Sequence, residues 1–517
     1  MKPEINIIPL PNYLKEEAGE YLKVGKSGVN ITINGAEENS ALLERCKTAF
    51  SLAGVNYSQT GIPVKIELEG AGKAENQADI ENINDEAYTL RVKDEGFVIS
   101  ALSAKGAFYA CVSAGQMIAK GGDSIPFVTI MDKPDCQWRG FLLDTCRSFF
   151  SITFIKKMLD ACALHKLNIF HWHLTDDQGW RFEVPGYPRL TEVGSVRQDH
   201  TVPEAVEGFY DEGEISRRWY SDEEITEIVN YAAERGIEIV PEVEFPGHVS
   251  ALLAAYPELG CTGGPYKVEN RWGIFPDVLC LGNDNIFSIY EAALKKIVSL
   301  FPGKYIHIGG DECMADRWST CPKCQARIKA EGLESPAELQ SWATIKITKL
   351  VLSLGKIPIG WDEVLDNNIH FSAPQELIVQ SWRGTEGGIK GVEKNHKVIM
   401  SPQTHFYLNL KNKKSFEEPG RLGTTPISKT YSFSPRAKEM NLKNPELVVG
   451  GECTFWSEKI QYSKIAEYLL FPRFCAAAEA LWLSEEKKDF SDFANRLENH
   501  KNLLHKLDFL YYDGELE

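Results

Sequence analysis

Eight short apolar runs, most of them followed by a stretch of helical period, limit what this chain can fold into more than any other feature. They are "GFLLDTCR", "NIFHWHLTDD", "IEIVPEVE", "YIHIGGDE", "IPIGWDE", "LIVQSW", "KVIMSP" and "LVVGGECTFW". Helical spacing is clearest in Thr153–His165, Asp222–Arg235, Asn285–Leu300, Pro336–Leu354 and Ser463–Leu483. Strands that alternate with helices imply a parallel sheet, because parallel neighbours need a crossover between them. Eight such units predict an α/β architecture, a (β/α)8 TIM barrel, over residues 133–517. The irregular, basic stretch Asn412–Leu442 is predicted to hold a long loop and a poor helix before the last strand. Residues 1–132 read as a small α+β domain. There "VNITING", "PVKIELEG" and "YTLRVKDEGFVISA" have strand character and "SAKGAFYACVSAGQMIAK" has helical spacing. The proline of "MDKPDCQWRG" marks the boundary.

Composition excludes several partners. A formal net charge of −17 disfavours nucleic acid and anionic membrane surfaces. No run of about 18 apolar residues predicts a membrane span. The opening "MKPEINIIPLPNYL" lacks the apolar core of a secretory signal, which fits a chain that is not exported or one whose leader precedes this numbering. The twelve cysteines are scattered, and Cys111, Cys162 and Cys475 fall on apolar helix faces. The one close pair is Cys321 and Cys324 in "CPKC". With no second pair or histidines at ligand spacing nearby, it reads as a local disulfide or two free thiols rather than a metal site.

A barrel of this type places its chemistry at the C-terminal ends of the strands. Here those ends collect Asp144, Arg147, His171, His173, Asp176, Asp177, Glu242, Glu244, His248, Asp311, Glu312, Trp361, Asp362, Glu363, Trp382, Tyr407, Glu452, Trp456 and Glu458. Aromatic faces suit the C–H face of a pyranose, and carboxylates with arginine suit its hydroxyls. The rim therefore predicts a glycan or oligosaccharide substrate.

Asp311 and Glu312 are adjacent. A retaining pair that uses an enzyme nucleophile must flank the scissile bond about 5–5.5 Å apart, and an inverting pair stands further apart. Neighbours at one strand end approach from one side. One carboxyl then suits protonation of the leaving oxygen, and the other suits a group carried by the substrate. A 2-acetamido carbonyl can attack the anomeric carbon to give an oxazolinium ion, whose nitrogen a carboxylate stabilises. An ionised Asp311 is expected to raise the proton affinity of Glu312, as a general acid requires.

"HIGGDE" resembles the catalytic signature of the family 20 glycoside hydrolases, the exo-β-N-acetylhexosaminidases. "WRGFLLDTCRSFF", "LNIFHWHLTDDQGWR", "PEVEFPGHVSA", "IGWDE" and "GGECTFWSE" resemble further blocks of that family in the same order, and the first 132 residues resemble its N-terminal domain. The resemblance implies that Glu312 is general acid and then base, that Asp311 orients the acetamide nitrogen, and that Tyr407 hydrogen-bonds the acetamide oxygen. It implies that Arg147 grips the 3- and 4-hydroxyls beside Asp144 and that Trp361, Trp382 and Trp456 wall the pocket. Glu458 would bind a 4- or 6-hydroxyl, and His248 with Asp176 would form a relay behind Glu312. No cofactor or metal is implied, and the family suggests a periplasmic or secreted protein if a leader was removed. Asn409 departs from the aspartate often found there, and Lys411, Lys413 and Lys414 follow it. Loss of that negative charge predicts tolerance of a 6-sulfated N-acetylglucosamine, against the alternative of one hydroxyl contact exchanged for another.

Three other readings remain. "HWH" puts His171 and His173 on one strand face, an arrangement that can hold a catalytic metal. A non-catalytic glycan-binding barrel would lack the acid or the acetamide-orienting residues, which are present here. A disaccharide-releasing enzyme of the same mechanism would need a wider pocket.

Overall fold

A computed structural model of the chain describes residues 5–25, 28–34, 40–68, 83–197, 218–366, 372–460 and 462–515. The end of "PVKIELEG" and of "VNITING" lie outside these residues. The N-terminal part is a six-stranded mixed sheet of β1 (Tyr13–Lys23), β2 (Val29–Asn34), β3 (Ile62–Leu68), β4 (Tyr88–Lys93), β5 (Gly96–Ala101) and β6 (Ser124–Asp132). The strand order is β1-β6-β4-β5-β3-β2. Alternating burial along β3 is the period-2 pattern of a sheet with one covered face. Helix Ala104–Ala119 is capped by Ser103, whose hydroxyl accepts from the Lys105 and Gly106 amides.

Buried polar contacts join this unit to the rest. Gln116 Nε2 donates to the Leu164 carbonyl at 2.9 Å. Arg139 and Glu86 pair at 2.7 Å, and Lys166 and Asp132 at 3.2 Å.

All eight apolar runs become parallel strands of one closed barrel. These are β7 (Trp138–Asp144), β8 (Ile169–His173), β11 (Glu238–Glu242), β12 (Tyr305–His307), β13 (Ile357–Trp361), β14 (Ile378–Ser381), β15 (Val398–Met400) and β18 (Val448–Phe455). Two small ladders, β9 (Thr175–Asp176) with β10 (Gly179–Trp180) and β16 (Leu410–Lys411) with β17 (Arg421–Thr424), decorate the loops. Pairing of β18 with β7 closes the ring. Helix Asn285–Leu300 has the bounds its spacing predicts, and helix Asp222–Glu234 opens with a Ser221–Glu224 capping box. The single helix expected over Ser463–Leu483 is two, Ser463–Leu470 and Arg473–Trp482. Pro472 divides them, because its ring clashes with the preceding turn and it has no N–H to donate.

Strand alternation sorts the lumen into layers. Trp138, Ile169, Val240, Tyr305, Ile359, Ile378 and Ile399 form an apolar plug. Two residues further along the same strands stand His171, Glu242, His307 and Gln380, all buried, with Glu452 of β18 among them. Above that polar layer, Leu142, Trp361, Tyr407 and Trp456 cluster at the mouth.

Candidate active site

The polar layer is a hydrogen-bonded base for the mouth. His171 meets Glu452 at 2.7 Å through Nδ1 and Glu242 at 3.1 Å through Nε2. His173 contacts Glu242 through Nδ1 and Asp176 at 2.7 Å through Nε2. Burial opposes charge on both rings. Glu452 and Glu242 nevertheless push His171 up to about 9, and Glu242 with Asp176 pushes His173 up to about 10. Both nitrogens of each ring face carboxylates, so His171 and His173 are built into the polar layer beneath the mouth. Glu242 also accepts from Trp361 Nε1 at 2.9 Å, which fixes that indole at the mouth.

Above it lies a cavity of about 340 Å³. Of the residues singled out in the sequence, Arg147, Asp311, Glu312, Trp361, Trp382, Tyr407, Trp456 and Glu458 line it. Trp382 stacks on Tyr407 with centroids 6.3 Å apart and planes 16° from parallel, and its Nε1 donates to Glu363 at 2.9 Å. Burial, together with the charges of Asp311 and Asp362, pushes Glu363 up to about 9, so this anchor is a neutral carboxyl near neutral pH. The Arg147 guanidinium lies 5.1 Å from the Trp456 ring centroid and pairs with Asp176 at 2.8 Å.

Asp144, Asp176, His248 and Asn409 stand behind the lining. Asp144 accepts from the Ser457 amide and hydroxyl at 2.9 Å each, tying β7 to the segment after β18, and lies 3.5 Å from Arg147. It lies outside the cavity lining, between Ser457 and Arg147. The relay behind the acidic pair is also revised. His248 Nδ1 is 2.9 Å from Asp177 and 3.5 Å from Asp176, whose other oxygen is held by Arg147 and His173. Asp177 is therefore the primary partner.

His248 Nε2 lies 3.5 Å from Glu312 and 3.6 Å from Asp311. Burial disfavours charge on His248, yet Asp176, Asp311, the hydrogen bond to Asp177 and the nearby Glu312 carboxyl hold its pKa well above the ordinary value. It is an imidazolium facing the pair. The turn that presents the pair is tightly constrained. Gly309 has φ +64°, and a Cβ there would lie 1.9 Å from Glu244 Oε2. Glu312 itself has φ 48° and His248 φ 50°, left-handed values rare for residues with a Cβ and found where surrounding structure holds them in place.

The shifts of the two carboxyls run opposite to the expectation from their adjacency, Asp311 upward and Glu312 downward. Burial, and then Glu312, Glu242 and Asp176, push Asp311 up to about 6 despite His248. Burial also pulls Glu312 upward, but His248 at 3.5 Å, with Arg147 and Arg421, outweighs it and holds Glu312 below its ordinary value. Asp311 also carries the larger burial penalty, with 13% of its side chain exposed against 30% for Glu312.

Asn409 is buried, and neither its side-chain oxygen nor its nitrogen has a hydrogen-bond partner among the described residues. Its carbonyl accepts from the Arg421 amide at 2.9 Å. Lys411 donates to the Ser415 carbonyl at 2.9 Å, and Lys413 lies 4.0 Å from Glu418, so neither lines the cavity. Arg421, 3.7 Å from Glu458, joins Arg147 as a second cation in the lining. Sequence reading missed it, as it missed the Trp272–Ile274 wall. The only available signals were an arginine in an irregular stretch and a tryptophan in a polar loop.

A parallel barrel whose C-terminal mouth holds paired carboxyls, a buried imidazolium and an aromatic-walled cavity defines a glycosidase of the barrel class. Residues 136–485 match the model of the glycosyl hydrolase family 20 catalytic domain, and residues 4–133 match glycosyl hydrolase family 20, domain 2. The chain belongs to glycosyl hydrolase family 20. It is 37% identical over 510 residues to a beta-hexosaminidase of Porphyromonas gingivalis, covering 96% of this chain and 62% of that relative's length. Among solved structures, it resembles the Flavobacterium johnsoniae chitobiase at TM-score 0.80 and 31% identity, over 98% of this chain and 74% of that one. It also resembles the Vibrio harveyi exo-β-N-acetylglucosaminidase in complex with N-acetylglucosamine, at TM-score 0.83 and 27% identity over 98% and 78% of the two chains.

Proposed function

We propose that the chain is an exo-β-N-acetylhexosaminidase that removes a terminal, non-reducing N-acetylglucosamine or N-acetylgalactosamine from a glycan with retention. One observation carries this reading. Asp311 and Glu312 leave the same turn and lie 3.6 and 3.5 Å from one imidazole nitrogen. Carboxyls so placed do not straddle an anomeric carbon, so the attacking atom comes from the substrate.

A 2-acetamido sugar supplies it. Its N–H donates to Asp311, which lowers the proton affinity of that carboxyl. Its ring covers Glu312 and excludes water, which raises the other. Binding thus moves the shared proton to Glu312, where it is delivered to the leaving oxygen. Tyr407 holds the acetamide oxygen for attack, and Trp361, Trp382 and Trp456 leave water little access to the oxazolinium. Glu312 then takes a proton from the incoming water. A cavity of about 340 Å³ is at the small end for ligand sites and suits one sugar residue, which favours release of a monosaccharide over a disaccharide.

Aryl 2-acetamido-β-glycosides of gluco and galacto configuration test the reading against Asp311→Asn and Glu312→Gln. Turnover of the N-acetyl substrates should fall in both variants, and a plain β-glucoside should resist cleavage. Rapid hydrolysis of the plain glucoside, or a glycosyl ester trapped on the polypeptide, would overturn it.

Tolerance of a 6-sulfated N-acetylglucosamine rests on Arg421 rather than on the lysines. Wild type should cleave the 6-sulfated and plain aryl glycosides at similar kcat/KM, and Arg421→Ala should lose the sulfated one selectively, by about tenfold. A wild type that strongly prefers the plain sugar ends this extension.

A further inference from the structure

The folded chain supplies what the isolated "CPKC" lacks. Cys261 and Cys280 join Cys321 and Cys324, and their four sulfurs all lie within 4.8 Å of one another. Cys261 and Cys324 are 3.8 Å apart, Cys280 and Cys321 3.6 Å, and Cys280 and Cys324 3.7 Å. A disulfide holds its sulfurs at about 2.05 Å, and all four residues are free cysteines here. A tetrahedron of sulfurs about 2.3 Å from a central zinc has edges of about 3.8 Å. These three separations match those edges, and the other three pairs lie within 4.8 Å.

The surroundings suit thiolates. Cys321 is the N-cap of helix Pro322–Glu331 and Cys324 lies in its first turn, so the positive end of that helix faces two of the sulfurs. The backbone of Gly282 hydrogen-bonds to the sulfurs of Cys280 and Cys324. Only glycine allows this approach, since a Cβ on Gly282 would lie 2.2 Å from the Lys323 carbonyl carbon. Cys280, Cys321 and Cys324 are buried and Cys261 is partly exposed, so the site is shielded yet reachable.

We propose that Cys261, Cys280, Cys321 and Cys324 form a tetrathiolate site for one structural zinc ion. Binding converts four thiols to thiolates, releases their protons to solvent and leaves a cluster of net charge −2. With four protein ligands the site is closed and takes no part in the chemistry. Its position gives it a mechanical role. Cys261 and Cys280 pinch the base of a loop whose ends pair at Gly260 and Leu279, and the tip of that loop carries Trp272 and Ile274 to the cavity. Cys321 and Cys324 belong to the segment that follows Asp311 and Glu312. The ion therefore ties the loop after β11 to the loop after β12, next to the acidic pair.

Metal analysis of the full-length protein, purified under reducing conditions with zinc in the growth medium and dialysed against EDTA, tests this. About one zinc per chain is expected, with an X-ray absorption edge that fits four sulfurs at about 2.3 Å. Cys321→Ser/Cys324→Ser should lose the zinc, and Cys46→Ala, in the N-terminal sheet domain, should keep it. Any of four results overturns the assignment: a metal-free protein with alkylatable thiols, a mass four hydrogens low with two disulfides, an iron centre, or zinc bound through nitrogen and oxygen. Because wild type is measured directly, a double variant that fails to fold does not decide the outcome.

Discussion

Replacing His248 with glutamine keeps a side chain of similar reach and removes one positive charge beside the acidic pair. At 3.5 Å, unit charges in a medium of effective dielectric about 20 interact by about 4–5 kcal/mol, or roughly 3 pK units. Glu312 has 30% of its side chain exposed, so water screens part of this and a shift of about 1–2 units is expected. The sign follows from the charge. A nearby cation lowers carboxyl pKa values, so its loss raises both macroscopic values of the pair. The bell-shaped dependence of kcat/KM on pH should therefore move to the alkaline side on both limbs. Initial rates on an aryl N-acetyl-β-glucosaminide across about pH 3–9 measure it, with a thermal melt to confirm folding. Asp177→Asn should shift the bell the same way by less, because Asp176 still faces the ring at 3.5 Å. A bell that stays in place, or moves toward acid, in a folded His248→Gln protein would refute the imidazolium.

Tyr407→Phe removes the hydroxyl assigned to the acetamide oxygen. Its kcat on N-acetyl substrates should drop about 10²-fold with the melting temperature little changed, as steady-state kinetics would reveal. Gly309→Ala places a methyl 1.9 Å from a buried Glu244 oxygen at a left-handed position, and chemical denaturation should show a loss of about 1–3 kcal/mol or more. His171 and His173 are raised to about 9 and about 10 in the fold, against an ordinary value near 6.5. Groups raised on folding stabilise fully below the unfolded value, and that contribution is lost as pH rises through the folded one. Melting temperature should consequently decline from about pH 7 to about pH 10, and replacing both rings by glutamine should flatten that decline.

The eight barrel strands and the side chains they send inward were legible in the linear order of residues. Hydrophobic run length and strand alternation are local properties, so Ile169, His171 and His173 had to share one face wherever the barrel closed. The adjacency of Asp311 and Glu312 was covalent and needed no fold to establish it. Folding alone decided what depends on distance between loops. Which of two neighbouring aspartates meets His248 turns on the β9–β10 ladder, and local spacing permits either. Arg421 reaches the cavity because its amide pairs with the Asn409 carbonyl. Asp311 shifts upward through burial and Glu312 downward through the His248 charge, neither of which is visible along the chain. The four sulfurs met for the same reason. Cys261 and Cys280 lie far from "CPKC" in the chain, and only the adjacency of β11 and β12 in the barrel brings their following loops together. Short-range periodicity fixes the elements and the faces they bury, whereas proton affinity and ligand sets arise from charges and atoms that converge only after the barrel has closed.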